Sequence, residues 1–226
     1  MNSSKIIQDQ IDIYKENFIN NRDSPRGTYQ NDRATQYLRF ERIVKPFREI
    51  LNESVSFHDF GCGVCDLHLY LNEQKIKHDY SGTEVVEEMI EHARQKYPGI
   101  RIIKRDILQE SNPEKFDIVV FSGGLFLPGN IPKEDWKKFV LEIVAKMFES
   151  CRIAISFNLL TTYNTYEEPH LFYLDPKEMF DYCSSRLSRF VTLDQSYPLY
   201  EWTISVFKKE FMAKQYTQKE LGKYLK

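Results

Sequence analysis

A chain of 226 residues can bury a substantial core in one domain, and 42% hydrophobic against 28% charged residues is the balance of a globular protein. The formal net charge of −2 supplies no field for nucleic acid or for an anionic membrane surface. No run approaches the ~18 apolar residues of a membrane span, the charged opening MNSSKIIQDQIDIYKENF has no signal-peptide core, and four cysteines are too few for a disulfide scaffold, so a reducing, cytoplasmic setting is expected.

Ile6, Ile7, Ile11, Tyr14 and Phe18 recur at helical spacing over 5–20, and the polar breaker NRDSPRGT follows over 21–28. A second helix is expected over 29–51, with Tyr37, Phe40, Val44 and Phe47 on one side and Pro46 kinking or shortening it. From residue 55 short apolar runs alternate with helical stretches. VSFHDF (55–60) reads as a strand, 66–74 as a helix, HDYSGTE (78–84) as a strand, and 84–97 as a helix ended by Pro98-Gly99. Strands IRIIK (100–104) and FDIVVFS (116–122) come next. An amphipathic helix follows over 132–148, with Trp136, Phe139, Val140, Ile143, Val144 and Met147 on one face, and then strand RIAISFN (152–158). Residues 159–175 are loop-like, 176–187 form a helix capped by Asp175 and Pro176, and 189–195 with 200–209 form a hairpin. From 208 onward six lysines and two acids mark a solvated tail.

This order predicts an α/β, Rossmann-like, doubly wound and mostly parallel seven-stranded sheet, with an antiparallel C-terminal edge hairpin and N-terminal helices. One structural domain is expected, divided into an N-terminal helical extension (1–54), a central domain (55–209) and a basic tail (210–226).

The stretch HDFGCGVCD (58–66) admits two readings. Cys62 and Cys65 form a C-x-x-C at a helix start, where a thiol pKa falls, and His68 follows. Zinc would need further ligands, however, and Cys151 and Cys183 stand alone in apolar runs, so no metal is expected. The other reading is a strand running into a glycine turn and a helix, the ligand corner of open α/β sheets. A dinucleotide fingerprint needs G-x-G-x-x-G. Gly61 and Gly63 are in phase, but Asp66 takes the third position, where it would repel a pyrophosphate and welcome an ammonium. That sets back an NAD(P)-dependent oxidoreductase. Glu84, 23 residues after Gly61, stands at the end of the second strand, where a carboxylate can accept both hydroxyls of a ribose; the plainer reading is a first-turn helix acid. Asp106 follows the third strand and could take an adenine amino group, or be an ordinary surface acid.

Taken in order, HDFGCGVCD, YSGTE, KRDI and FDIVVFSGG resemble the motif set of class I S-adenosylmethionine-dependent methyltransferases, a resemblance that covers 55–158. QYLRFERI, FNLLTTY, LFYLDPKEMFDYC and YPLYEWTISVF resemble a subgroup of small bacterial methyltransferases, several near surface-polysaccharide genes. The resemblance implies S-adenosylmethionine as cofactor. It assigns Asp59, Gly61, Cys62 and Gly63 to the loop around the methionyl moiety, Glu84 to the ribose, and Asp106 and Ile107 to the adenine. Ser122 and Gly123 would line the methyl-transfer face, and Arg39 would reach from the N-terminal helices to the cofactor carboxylate, a surface salt bridge being its plainer role. Cys65 departs from the pattern: it stands where the family usually has glycine, and a side chain there would narrow the loop.

The expected acceptor is a hydroxyl or amine of a small molecule, with activated sugars and capsule or surface-polysaccharide precursors as candidates. A hydroxyl calls for a base. His170 and Tyr163, in the irregular 159–175 segment, are the candidates, with Asn158 as a substrate contact. Neither a basic face nor an added module points to nucleic acid. The alternative from another class is a methyltransferase-fold protein that binds its ligand without turnover.

Overall fold

A computed structural model of the chain describes residues 3–22, 24–51, 54–109 and 114–225. Residues 1, 2, 23, 52, 53 and 226 of the expected extension, breaker and tail lie outside the described residues. Two helices open the chain, α1 (Ser3–Asn21) and α2 (Arg33–Val44). The alternating part runs β1 (Ser56–Phe60), α3 (Asp66–Glu73), β2 (Asp79–Glu84), α4 (Glu87–Lys96), β3 (Arg101–Lys104), β4 (Phe116–Phe121), α5 (Lys133–Ser150) and β5 (Cys151–Thr161). Then come β6 (Tyr173–Leu174), α6 (Pro176–Tyr182), β7 (Val191–Asp194), β8 (Glu201–Phe207) and α7 (Lys209–Gln215).

The strands form one sheet in the order β3-β2-β1-β4-β5-β8-β7. Pairing is parallel from β3 to β5, and β8 and β7 close the edge antiparallel. The expected doubly wound sheet and edge hairpin are both present. Each face is closed by a helix layer. On one, Trp136, Val140, Val144 and Met147 of α5 pack with Phe157 and Trp202; on the other, Ile43 and Phe47 pack with Phe57, Leu67, Leu71 and Ile90. Burying each such side chain stabilises the fold by about 1.5–3 kcal/mol. The apolar stripe of α1 is buried at Ile6 and Phe18, which holds this helix against the carboxyl ends of the strands.

Several boundaries differ from expectation. The helix expected over 29–51 starts only at Arg33, where Asp32 accepts the Thr35 N–H at 2.8 Å, and it stops at Val44 ahead of Pro46 in a 3-10 turn. Glu84 belongs to β2, and the following helix begins at Glu87. β5 runs on to Thr161, past the expected end at 158, because it is paired on both sides: Leu160 faces Glu201 of β8 and Tyr173 of β6. β6 is thus an eighth, two-residue strand inside a segment expected to be loop. The helix expected over 176–187 changes to a π turn at Cys183–Leu187.

Candidate functional site

β1 has β2 on one side and β4 on the other, and the connections leave to opposite faces of the sheet. A crevice opens beyond the carboxyl ends of the strands at such a point. Gly61 follows β1 with φ +63, and a Cβ there would stand 2.7 Å from the Phe121 ring, so only glycine fits. Gly63 continues the turn in the same left-handed region.

Glu84 ties the second strand to this turn. Its carboxylate, 6% exposed, accepts the Gly63 N–H on Oε2 at 2.8 Å and the Val85 and Val86 N–H groups on Oε1 at 2.7 and 3.0 Å. Burial pushes its pKa up and the three amides pull it back down. Oε1 has both lone pairs engaged, and Oε2 keeps one for a ligand hydroxyl. Asp59 accepts the Tyr80 hydroxyl at 2.9 Å, and burial raises its pKa to about 7. The buried hydroxyl of Tyr14, on α1, is raised by burial and by the nearby Glu84 charge.

Two cavities meet at Tyr14, Gly61, Glu84 and Gly124. The first, about 110 Å³, is walled by Asp106, Ile107 and Val85 beneath Ile7 and Gln10 of α1, with Phe121 and Trp136 at its base. The second, about 60 Å³, is walled by the glycine turn, Cys62, Ser122 and Gly123, with Gln30 and Gln36 brought in by the N-terminal segment. Three carboxylates line the second cavity, Asp59, Asp66 and Glu84, and no Lys, Arg or His does so among the described residues. Two polar atoms of its lining residues are buried without a partner among the described residues, Gln36 Oε1, an acceptor, and Ser122 Oγ, which can accept or donate. This end suits a ligand that is positively charged and donates hydrogen bonds, and it resists a phosphate.

Every residue assigned to the cofactor except Arg39 lines one of the two cavities: Asp59, Cys62, Gly63, Ser122 and Gly123 the second, Asp106 and Ile107 the first, Gly61 and Glu84 both. Arg39 lies behind the wall, 8% exposed, in an ion pair with Glu201. Asn158 is 1% exposed, so its amide meets protein groups (Glu201 and Gly123 N–H) instead of an incoming substrate. Tyr163 is 52% exposed, and His170 stands on the same outer segment; neither joins a cavity wall. Tyr14, Gln10, Gln30 and Gln36 were not expected in the site. The helical periodicity of 5–20 marks a buried stripe but does not say what the stripe covers.

The narrowing expected from Cys65 does not occur. Cys65 takes the left-handed conformation itself, φ +60, and turns its thiol into the core, 0% exposed and off both cavity walls. A non-glycine residue there costs about 1–2 kcal/mol. The Cys65 side chain and burial both hold the Cys62 thiol well above its usual pKa, the opposite of an activated pair.

Comparisons with known proteins agree with this geometry. A family model described as a methyltransferase domain matches residues 57–148. A putative methyltransferase of Mycobacterium tuberculosis is 32% identical over 155 residues, 68% of this chain and 93% of that protein. The fold is similar to that of magnesium protoporphyrin IX methyltransferase from Synechocystis, solved with bound SAM, at a TM-score of 0.60 and 13% identity over 88% of this chain and 97% of that one. It is also similar to DhpI in complex with SAM and HEP, at a TM-score of 0.59 and 13% identity over 88% and 96% of the two chains.

Proposed function

The chain belongs to the class I S-adenosylmethionine-dependent methyltransferases, and we propose that it passes the cofactor's methyl group to a hydroxyl or amine of a small molecule, a sugar or surface-polysaccharide precursor being the favoured class. The observation that carries the site assignment is the set of groups lining the second cavity. Three carboxylates and no cation line a pocket that opens from a glycine turn. A dinucleotide would place phosphates near this turn, whereas S-adenosylmethionine brings an ammonium and a sulfonium. The residues fit the adenine, the ribose and the ammonium of the group. Asp106 and Ile107 would flank the adenine, Glu84 Oε2 would take a ribose hydroxyl, and the buried Gln36 Oε1 would accept from the ammonium.

When bound, the cofactor supplies an electrophilic methyl group on sulfur, and the protein's share is placement and exclusion of water. Gly61 lets the backbone approach closely, Phe121 walls the first cavity, and Tyr14 presents its aromatic ring where the two cavities meet. The extension over 1–54 is the cover, through Gln10 and Tyr14 of α1 and Gln30 and Gln36 further on. An amine acceptor needs no strong base. For a hydroxyl acceptor, His170 and Tyr163 stay the candidate bases, on the segment beyond β5.

The small-molecule reading draws support from the chain's near-neutral charge and from one of the solved structures above, a methyltransferase of magnesium protoporphyrin IX by its name. It is tested by incubating the protein with methyl-labelled S-adenosylmethionine and a panel of sugar nucleotides, amines, protein and RNA. Label in the small-molecule fraction supports it. Label confined to protein or RNA overturns the acceptor class.

A further inference from the structure

Glu201 opens β8 with its side chain 1% exposed, a costly place for a carboxylate unless both oxygens are used. Oε1 takes Arg39 Nε at 2.7 Å and Arg39 Nη2 at 2.6 Å. Oε2 takes Nδ2 of Asn158, on β5, at 2.7 Å. That bond fixes which way the Asn158 amide faces. With its nitrogen on the carboxylate, its Oδ1 meets the loop after β4 and accepts the Gly123 N–H at 3.1 Å. On the other side, Arg39 Nη1 donates to Gln30 Oε1. Gln30 Nε2 donates to the Thr28 carbonyl at 3.4 Å and lies 2.8 Å from where a Cβ on Gly123 would stand, so Gln30 packs directly over Gly123. Gln30, Ser122 and Gly123 form one wall of the second cavity, while Arg39, Asn158 and Glu201 stand behind it.

A buried ion pair contributes little net stability compared with apolar packing of the same volume. What this one does distinctively is hold three distant segments in register: the N-terminal one, β5 with the loop after β4, and β8. We infer that Glu201 is a positioning residue, acting through Arg39 and Asn158 to set Gln30 and the 122–123 backbone so that the second cavity grips the amino-acid end of the cofactor. This rests on the cofactor assignment above and deepens it. A general loss of stability would weaken all ligands alike, whereas positioning at one end weakens only ligands that possess that end.

The test therefore compares two ligands. S-adenosylhomocysteine carries the amino-acid end; 5′-methylthioadenosine has the same adenosine and thioether without it. Both are titrated calorimetrically into the wild type and three variants. In Glu201→Gln the amide oxygen is drawn to Arg39 and its NH₂ to Asn158, which must then turn its own NH₂ toward the Gly123 N–H. Asn158→Leu cuts the same link and leaves the ion pair and its charge balance intact, so it reports even if Glu201→Gln folds poorly. Thr203→Val is the control, a buried β8 position opposite Asn158 whose hydroxyl bonds Tyr197 at 2.9 Å, outside this network. Both network variants are expected to weaken S-adenosylhomocysteine by about tenfold or more and methylthioadenosine by less than about threefold, the loss of one buried hydrogen bond. The control is expected to leave the ratio of the two affinities unchanged. Equal losses for both ligands, or an unchanged ratio in Asn158→Leu, would overturn the inference. A wild type that binds neither ligand would overturn the cofactor assignment itself, and the inference with it.

Discussion

Replacing Glu84 by glutamine changes one atom in a carboxylate that receives three backbone amides. Oε1 serves Val85 and Val86, and Oε2 serves Gly63, so the single glutamine oxygen can keep two of the three bonds. Its NH₂ then faces the Gly63 N–H, donor against donor, at a spacing of 2.8 Å in the native site. The lost charge-assisted bond is worth about 1.5–3 kcal/mol and the stranded amide about 1–3 kcal/mol. Relief of the buried charge, which burial already disfavours, offsets part of this. A net destabilisation of about 1–3 kcal/mol follows, seen as a lower urea midpoint at unchanged slope. The Oε2 lone pair that would take a ribose hydroxyl is lost as well. S-adenosylhomocysteine affinity is expected to fall about 10- to 100-fold, the equivalent of about 1.4–2.8 kcal/mol. Calorimetric titration of the folded variant reads this directly. Affinity within a factor of about two of wild type would refute the assignment of Glu84, because one lost bond to a buried carboxylate cannot be that cheap.

Other perturbations separate the parts of the site. Gly61→Ala forces φ +63 on a side-chain residue and drives its Cβ toward the Phe121 ring; it should lose about 1–2 kcal/mol from the backbone alone and lower Tm by several degrees. Cofactor binding should be lost with it, since Gly61 lines both cavities and the displaced Phe121 ring lines the first. Cys65→Gly is expected to leave S-adenosylhomocysteine affinity unchanged within about twofold, as Cys65 is off both walls; a rise of tenfold would show that its side chain does crowd the ligand. Asp59 has its pKa raised from 3.8 to about 7, so the native state holds its proton more tightly than the unfolded chain. Its contribution is fully present below about pH 4 and is lost as pH rises toward 7. Urea midpoints between pH 5 and 8 should therefore fall more steeply in the wild type than in Asp59→Asn, and parallel profiles would count against the shift.

What the sequence made legible was local. A strand entering a glycine turn, an acid at the end of the next strand and an acid after the third are each set by residues within one βα unit, and the structure brings Gly61, Glu84 and Asp106 to the walls of adjoining cavities. The non-local partners were hidden. Arg39 and Glu201 are 162 residues apart, and nothing in QYLRFERI or LYEWTISVF announces that they form a pair. Likewise, the stripe on α1 predicts a buried face, but that Tyr14 lies where the two cavities meet depends on how the helix docks. Cys65 misled for a related reason. A glycine replaced by a larger residue suggests crowding, but direction is decided by backbone conformation, and at φ +60 the thiol points into the core. The two-residue β6 was invisible because it owes its existence to pairing with β5, not to its own composition.

The most direct measurement is calorimetric titration of the wild-type protein with S-adenosylmethionine, S-adenosylhomocysteine and NAD in parallel. The expected result is one site per chain for each adenosyl ligand, in the micromolar range, and no heat from NAD, because three carboxylates and no cation line the second cavity. Binding of NAD without either adenosyl ligand would contradict the reading of that cavity and of Asp66 within it.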